Sequence, residues 1–123
     1  RENFQTLQAK ANVLKAMGNT SESEEVMDKA IRNPAASVAE IHQYGRALIA
    51  EGRNEKALEV FEYNHKSHPD ETFTTYVGLA RGYAAVDNKK KAIKYWEMAI
   101  ENLPENQKPN LSYYEAELNK LKE

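Results

Sequence analysis

Cysteine is absent from the 123-residue sequence, which excludes a disulfide scaffold, a zinc site built on thiolates and a cysteine nucleophile but leaves the redox compartment open. Long apolar runs are missing too. The longest has about four residues, Ala47–Ala50, too few for a helix that spans a bilayer, so we expect no membrane insertion. The chain begins at Arg1 without an apolar signal segment, and we therefore expect it to be part of a larger protein.

An excess of charge of either sign is also missing. The 17 Lys and Arg residues nearly balance 19 Asp and Glu residues, and the net charge is −2 at pH 7. Proteins that bind nucleic acid by neutralising phosphates carry a basic surface, so we expect no nucleic-acid partner. Apolar residues make up 41% of the chain, which is enough for one hydrophobic core, and we expect a single domain over residues 1–123.

Glycine and proline are scarce, with five and four residues, but they are regularly placed. Pro34, Pro69 and Pro104 recur every 35 residues, and Gly18 and Gly52 lie 34 residues apart. Apolar residues between them recur at helical spacing, and no stretch alternates like a strand. A repeat of this length predicts an all-α fold in which each unit contributes two antiparallel helices. The three predicted units cover about residues 4–35, 38–70 and 73–105.

The same pattern predicts seven helices. Six belong to the units and are expected at about residues 2–17, 20–32, 37–51, 54–67, 71–86 and 89–102. The seventh, over about residues 112–122, has one apolar stripe formed by Tyr114, Leu118 and Leu121. Such a stripe beside a polar face is typical of a helix that covers the end of a stacked array. Side-chain caps are expected at Ser21, Ser37, Asn54, Asp70, Asn88 and Ser112.

Two of the units share one order of residues: a small residue beside a large one, an alanine followed four positions later by an aromatic residue, and then a proline. The segments are Tyr44-Gly45-x-x-Leu48, Ala57-x-x-x-Phe61 and Pro69 in the second unit, and Leu79-Ala80-x-x-Tyr83, Ala92-x-x-x-Trp96 and Pro104 in the third. This order resembles the tetratricopeptide repeat. The first unit is the least regular, because Ser23 and Met27 stand at the alanine and aromatic positions.

The resemblance covers about residues 4–104 and implies an α-solenoid of three helix pairs, with the seventh helix as a C-terminal cap. It implies a non-catalytic module that binds a protein or peptide segment and needs no cofactor. The stretch Ile41–Pro69 also resembles repeat tails of exported bacterial proteins, which implies an exported or periplasmic location. A purely structural domain, which packs against the rest of its own chain or a second copy as a homo-oligomer, remains the alternative.

The resemblance also implies a ligand groove, since the first helix of each unit lines it in this family. By position, the groove residues are Gln8, Asn12, Lys15, His42, Gln43, Arg46, Ile49, Thr74, Val77, Gly78 and Arg81. Asn12, Arg46 and Arg81 are equivalent and are expected to form one polar row. Two guanidiniums in this row would suit a carboxylate or a phosphate, so the partner is expected to be acidic. Alternatively, the arginines pair with nearby acids such as Glu40 or Glu51 and bind nothing.

Two small clusters contain residue types that could support other chemistry. Glu62, His65 and His68 lie at a helical spacing that can hold a metal ion. A histidine near a helix C-terminus also favours the helix dipole without a metal, and we predict no metal site. Ser67, His68 and Asp70 have the atoms for nucleophilic catalysis, but they are adjacent in sequence and lack a nucleophile elbow. We therefore predict no enzyme activity.

Overall fold

The computed structural model describes residues 3–123, and this part of the chain forms helices and turns without a strand. Seven α-helices follow one another: α1 Phe4–Ala16, α2 Thr20–Arg32, α3 Val38–Ala50, α4 Asn54–Ser67, α5 Thr72–Ala85, α6 Lys89–Glu101 and α7 Leu111–Lys122. The predicted all-α class, with paired helices and a seventh helix, is confirmed. None of the described helices combines the length and the apolar character needed to cross a membrane.

Helix starts agree with the sequence pattern at some positions and differ at others. Ser37 and Glu40 form the predicted reciprocal cap, in which each backbone N–H donates to the other side chain, at 2.9 and 3.1 Å. Asn88 Oδ1 accepts from the Lys91 N–H at 3.2 Å, also as predicted. The expected start of α1 at about residue 2 lies outside the described residues. The caps predicted at Ser21, Asn54, Asp70 and Ser112 are wrong, because the N-cap residue of each of these helices lies one or two positions away.

The turn inside each helix pair needs one residue with a left-handed backbone. Gly18 and Gly52 provide it with φ angles of 87° and 79°, which glycine adopts without the clash that a Cβ would cause. The third pair has Asp87 at this point, with φ 62°. Aspartate is among the few non-glycine residues that tolerate this region, so the turn is kept although the glycine spacing is not.

The described chain divides into two compact units, one that ends at Glu40 and one that begins at Ile41. In the first unit α1 packs against α2, and apolar residues of both helices are buried. Ser23 Oγ donates a buried hydrogen bond to the Ala11 carbonyl oxygen at 2.7 Å. The hydroxyl is thereby satisfied, which explains how serine takes the place of the expected alanine. The expected single domain over residues 1–123 stays a prediction.

In the second unit, Phe61 of α4 is the most tightly enclosed aromatic side chain. It is 1% exposed, and glycines of α3 and α5 surround its ring. A Cβ at Gly45 would lie 2.6 Å from Phe61 Cε1, and one at Gly78 would lie 2.5 Å from Phe61 Cδ1. An alanine at Gly45 would gain helix propensity, but its Cβ would overlap the ring. The ring of Phe61 occupies the space that a Cβ at Gly45 would fill.

Helix α7 packs on α6 through the predicted apolar stripe. Leu118 is buried in a cluster with Val77, Ala80, Trp96 and Ala99, and Tyr114 and Leu121 are half-buried against it. A short 3₁₀ helix, Glu105–Asn110, leads into α7 and was not predicted from the sequence. Its Gln107 side chain accepts a hydrogen bond from Tyr114 Oη at 2.9 Å, which ties the connection to the helix.

Replacing Leu118 by alanine is expected to lower the free energy of unfolding by about 2 kcal/mol, because it leaves a cavity under a terminal helix that can partly relax. Urea denaturation followed by circular dichroism measures this change. Asn119→Ala is the matched control, since this neighbour is exposed on the same helix. Equal stability of Leu118→Ala and the parent would show that α7 does not dock on α6 in solution.

Candidate functional site

One cavity of about 520 Å³ in the second unit contains three of the predicted groove residues. Arg46 and Ile49 of α3 and Arg81 of α5 line it together. The remaining lining residues, Ala50, Ala84, Ala85, Trp96, Glu117, Lys120 and Leu121, were not predicted. We call this space the arginine cavity. It brings the two equivalent arginines of neighbouring helix pairs to one surface.

The guanidinium of Arg81 is held by aromatic rings. Its Cζ lies 5.4 Å from the centroid of the Trp96 ring and 6.0 Å from that of Tyr113. Nη2 donates to Tyr113 Oη at 3.0 Å, and Nε is buried without a hydrogen-bond partner among the described residues. Aromatic faces orient a guanidinium without neutralising it. Arg81 is therefore fixed in place while its charge remains available to an anion.

The alternative in which Glu40 neutralises these arginines does not match its contacts. Glu40 Oε2 accepts from Gln5 Nε2 at 2.8 Å, and Glu40 Oε1 accepts from the Ser37 N–H at 2.9 Å. Both partners belong to the first unit. The carboxylate serves the start of α3 rather than a guanidinium.

The charges that line the arginine cavity are predominantly positive. Arg46, Arg81 and Lys120 contribute three cations against the single carboxylate of Glu117. Lys120 Nζ lies 3.0 Å from Glu117 Oε2, and this hydrogen bond raises the pKa of Lys120. The ion pair uses the one carboxylate that the described residues contribute to the lining, so the two arginines keep their positive potential.

His42 was expected on the groove surface, and the structure corrects this placement. Its side chain is 9% exposed, and its ring lies 5.4 Å from the ring of Phe61. Burial, followed by the charges of Arg81 and Arg46, lowers the pKa of His42 from 6.5 to about 4. Nδ1 is buried and has no hydrogen-bond partner in the part of the chain that the structure describes. His42 is thus a neutral, buried neighbour of both arginines.

Val77 and Gly78 are also buried and do not line the cavity. The ring of Phe61 fills the space beside Gly78. Gln43 is exposed and Thr74 is half-buried, and neither reaches the arginine cavity. Of the groove residues predicted on α1, Gln8 is half-buried, and Asn12 and Lys15 are exposed. The polar row that includes Asn12 stays a prediction.

Sequence reasoning missed the contribution of α7, which provides Glu117, Lys120 and Leu121. This helix lies outside the repeat, so no equivalent position in another unit points to it. The polar face of α7 was interpreted only as the solvated side of a cap. Glu117 and Lys120 lie one turn apart on α7. Nothing in this spacing indicates that their side chains line a cavity with residues of α3 and α5.

Comparison with known families gives one match, in the first unit. Residues 4–35 match the sequence model described as Tetratricopeptide repeat. The first unit is similar to a tetratricopeptide repeat. This repeat comprises α1 and α2 and is the one whose sequence is least regular. No curated protein and no solved structure matches the chain. The finer resemblance to exported bacterial proteins stays a prediction.

The family match bears on function at a coarse level. Tetratricopeptide repeats typically mediate interactions between proteins, and the family is a non-catalytic scaffold. In the second unit, α3 and α5 are the first helices of pairs with the same pattern as the tetratricopeptide repeat. The arginine cavity therefore lies on the helices that the resemblance assigns to ligand binding.

The residues weighed for a metal site have other contacts. The His65 Nδ1 atom and the Thr75 hydroxyl are 3.0 Å apart, and His68 Nδ1 lies 3.3 Å from the Asn64 carbonyl oxygen. Glu62 Oε2 accepts from the Tyr83 hydroxyl at 3.1 Å. Within residues 3–123, no three histidine, aspartate or glutamate side chains converge as metal ligands would.

Proposed function

We propose that this protein is a non-catalytic module that binds a protein or peptide segment in the arginine cavity, and that the bound segment carries a carboxylate. The observation that supports the proposal is the position of Arg46 and Arg81, two equivalent residues that line one cavity in which Glu117 is paired with Lys120. Guanidinium groups bind carboxylates through two parallel hydrogen bonds, which gives both affinity and orientation.

The apolar part of the lining supports a peptide rather than a free carboxylate. Ile49, Ala84, Ala85 and Leu121 provide aliphatic surface beside the arginines. A peptide residue next to the bound carboxylate would bury its apolar atoms there. The partner is therefore a segment with an acidic group and a neighbouring apolar side chain.

The expected affinity is modest, because the cavity is short and open to solvent. Ion pairs at such a surface are weakened by salt, so we expect the dissociation constant to rise as salt is added. A binding energy that came from apolar contacts alone would change little over the same range.

Reversal of the charge at Arg46 is expected to weaken binding at least about tenfold, since it places a carboxylate where the ligand's carboxylate binds. The experiment screens a library of acidic peptides against the parent and compares the strongest binder with Arg46→Glu by isothermal titration calorimetry. Lys90→Glu is the matched control, because it makes the same charge change at an exposed position outside the cavity. Circular dichroism verifies that both variants fold.

Two results would contradict the proposal. If Arg46→Glu binds the peptide as tightly as Lys90→Glu does, the arginine cavity is not the binding site. If no peptide binds and the protein self-associates with concentration, the surface packs against a second copy, as in the structural alternative.

A further inference from the structure

We propose that the arginine cavity takes up an anion together with a proton, and that His42 holds the proton. The inference rests on the proposed function, because both require an anion beside Arg46 and Arg81. It adds a regulated property, namely an affinity that rises in acid, and it names the residue responsible.

His42 is buried one turn before Arg46 on α3. Its ring packs against the ring of Phe61 of α4, with the centroids 5.4 Å apart. A buried Nδ1 without a hydrogen-bond partner is unusual, because an unpaired polar atom in the interior costs stability. The two nearby arginines disfavour a protonated His42 in the free protein. We therefore infer that His42 is protonated in a second state, in which an anion is bound at the arginines.

Burial, followed by the charges around His42, explains why its imidazole is neutral in the free protein. Arg46 on its own helix and Arg81 on α5 both oppose a positive imidazolium, and Phe61 of α4 brings no charge. Helix α7 contributes Glu117 and Lys120 to the cavity, but these two are paired with each other. Within residues 3–123, the charges that act on the pKa of His42 are those of Arg81 and Arg46, and a ligand would supply the negative charge that offsets them.

An anion beside the two arginines removes much of this opposition. Its negative charge offsets the positive potential at His42 and raises the pKa of the imidazole from its value of about 4. Coupling of this kind is reciprocal, so a proton on His42 strengthens anion binding by the same factor. The affinity for the anion therefore rises as the pH falls. The rise takes place between the pKa of His42 in the anion complex and its lower pKa in the free protein.

Sulfate is the appropriate probe, because it stays a dianion where a peptide carboxylate would itself titrate. The pKa of His42 is measured by NMR on the parent between about pH 4 and 8, in sodium sulfate and in sodium chloride of equal ionic strength. We expect saturating sulfate to raise the pKa of His42 by about one to two units. Sulfate should accordingly bind about two- to tenfold more tightly at pH 5 than at pH 7.

Variants identify the groups involved. Arg46→Gln is expected to abolish the effect of sulfate on His42, because one of the two anion ligands is lost. His42→Gln is expected to remove the pH dependence of sulfate affinity, whereas His68→Gln, which changes a histidine outside the cavity, should keep it.

The outcomes separate this inference from the proposed function. If an acidic peptide binds at Arg46 but neither peptide nor sulfate changes the pKa of His42, the proton coupling is wrong and the peptide site stands. If neither peptide nor sulfate perturbs the NMR signals of Arg46 and Arg81, both proposals fail. A pH-dependent sulfate affinity that persists in His42→Gln would assign the proton to another residue and overturn the inference.

Discussion

Replacement of Phe61 by alanine is expected to lower the free energy of unfolding by about 3–5 kcal/mol. The ring is 1% exposed and touches His42 as well as Gly45, Gly78 and Gly82. Glycines have no side chains that can move into the vacated space, so the cavity cannot close by rotamer changes on that side. Urea denaturation followed by circular dichroism measures the loss.

A double-mutant cycle with Gly45 tests the packing directly. Gly45→Ala alone is expected to destabilise by about 1–3 kcal/mol, because the new methyl group overlaps the ring. In the Phe61→Ala background the methyl group enters the empty space, and the helix propensity of alanine gives up to about 1 kcal/mol in its favour. The two changes are therefore strongly non-additive. An equal cost of Gly45→Ala in both backgrounds would disprove the contact.

Acidification from about pH 6.5 to about pH 4 is expected to reduce the free energy of unfolding by about 3 kcal/mol through His42 alone. The pKa of this side chain is 6.5 as an ordinary histidine and about 4 in the folded protein. Between these values the unfolded chain binds a proton that the folded protein does not, so stability falls as the pH falls. Well above pH 6.5, His42 is neutral in both the folded and the unfolded protein, so it adds no pH dependence to the free energy of unfolding.

Chemical denaturation at several pH values between about 7 and 4.5 separates this effect from general acid denaturation. His42→Gln should lose less stability over that range than the parent, and His68→Gln should behave like the parent. Saturating sulfate should also reduce the loss, because it raises the pKa of His42 in the folded protein. Identical pH profiles for His42→Gln and the parent would show that this histidine is not buried as the structure has it.

Together, these expectations describe a site with two layers. The outer layer is formed by Arg46 and Arg81, and the inner layer by His42 and the glycine-enclosed ring of Phe61. A change in the inner layer is expected to alter the stability of the fold and the electrostatic potential at the two arginines. Variants at Phe61 should therefore be compared for binding only under conditions in which they are folded.

Much of the helical architecture followed from the sequence by itself. The bounds of α2 and α4 agree with the predicted ranges, because proline spacing, turn glycines and helical periodicity are local signals that neighbouring residues settle. Repeat equivalence also placed Arg46 and Arg81 at corresponding positions on first helices. These predictions did not depend on tertiary packing between side chains.

Tertiary structure alone decided which of the predicted groove residues are accessible and what surrounds them. His42 and Gly78 hold groove positions in the repeat, yet both are buried because the ring of Phe61 lies between α3 and α5. Glu117 reaches the cavity from a helix outside the repeat. A one-dimensional period assigns a residue to a face of its own helix. Burial and charge, by contrast, depend on side chains that arrive from other helices, and only packing in three dimensions brings those together.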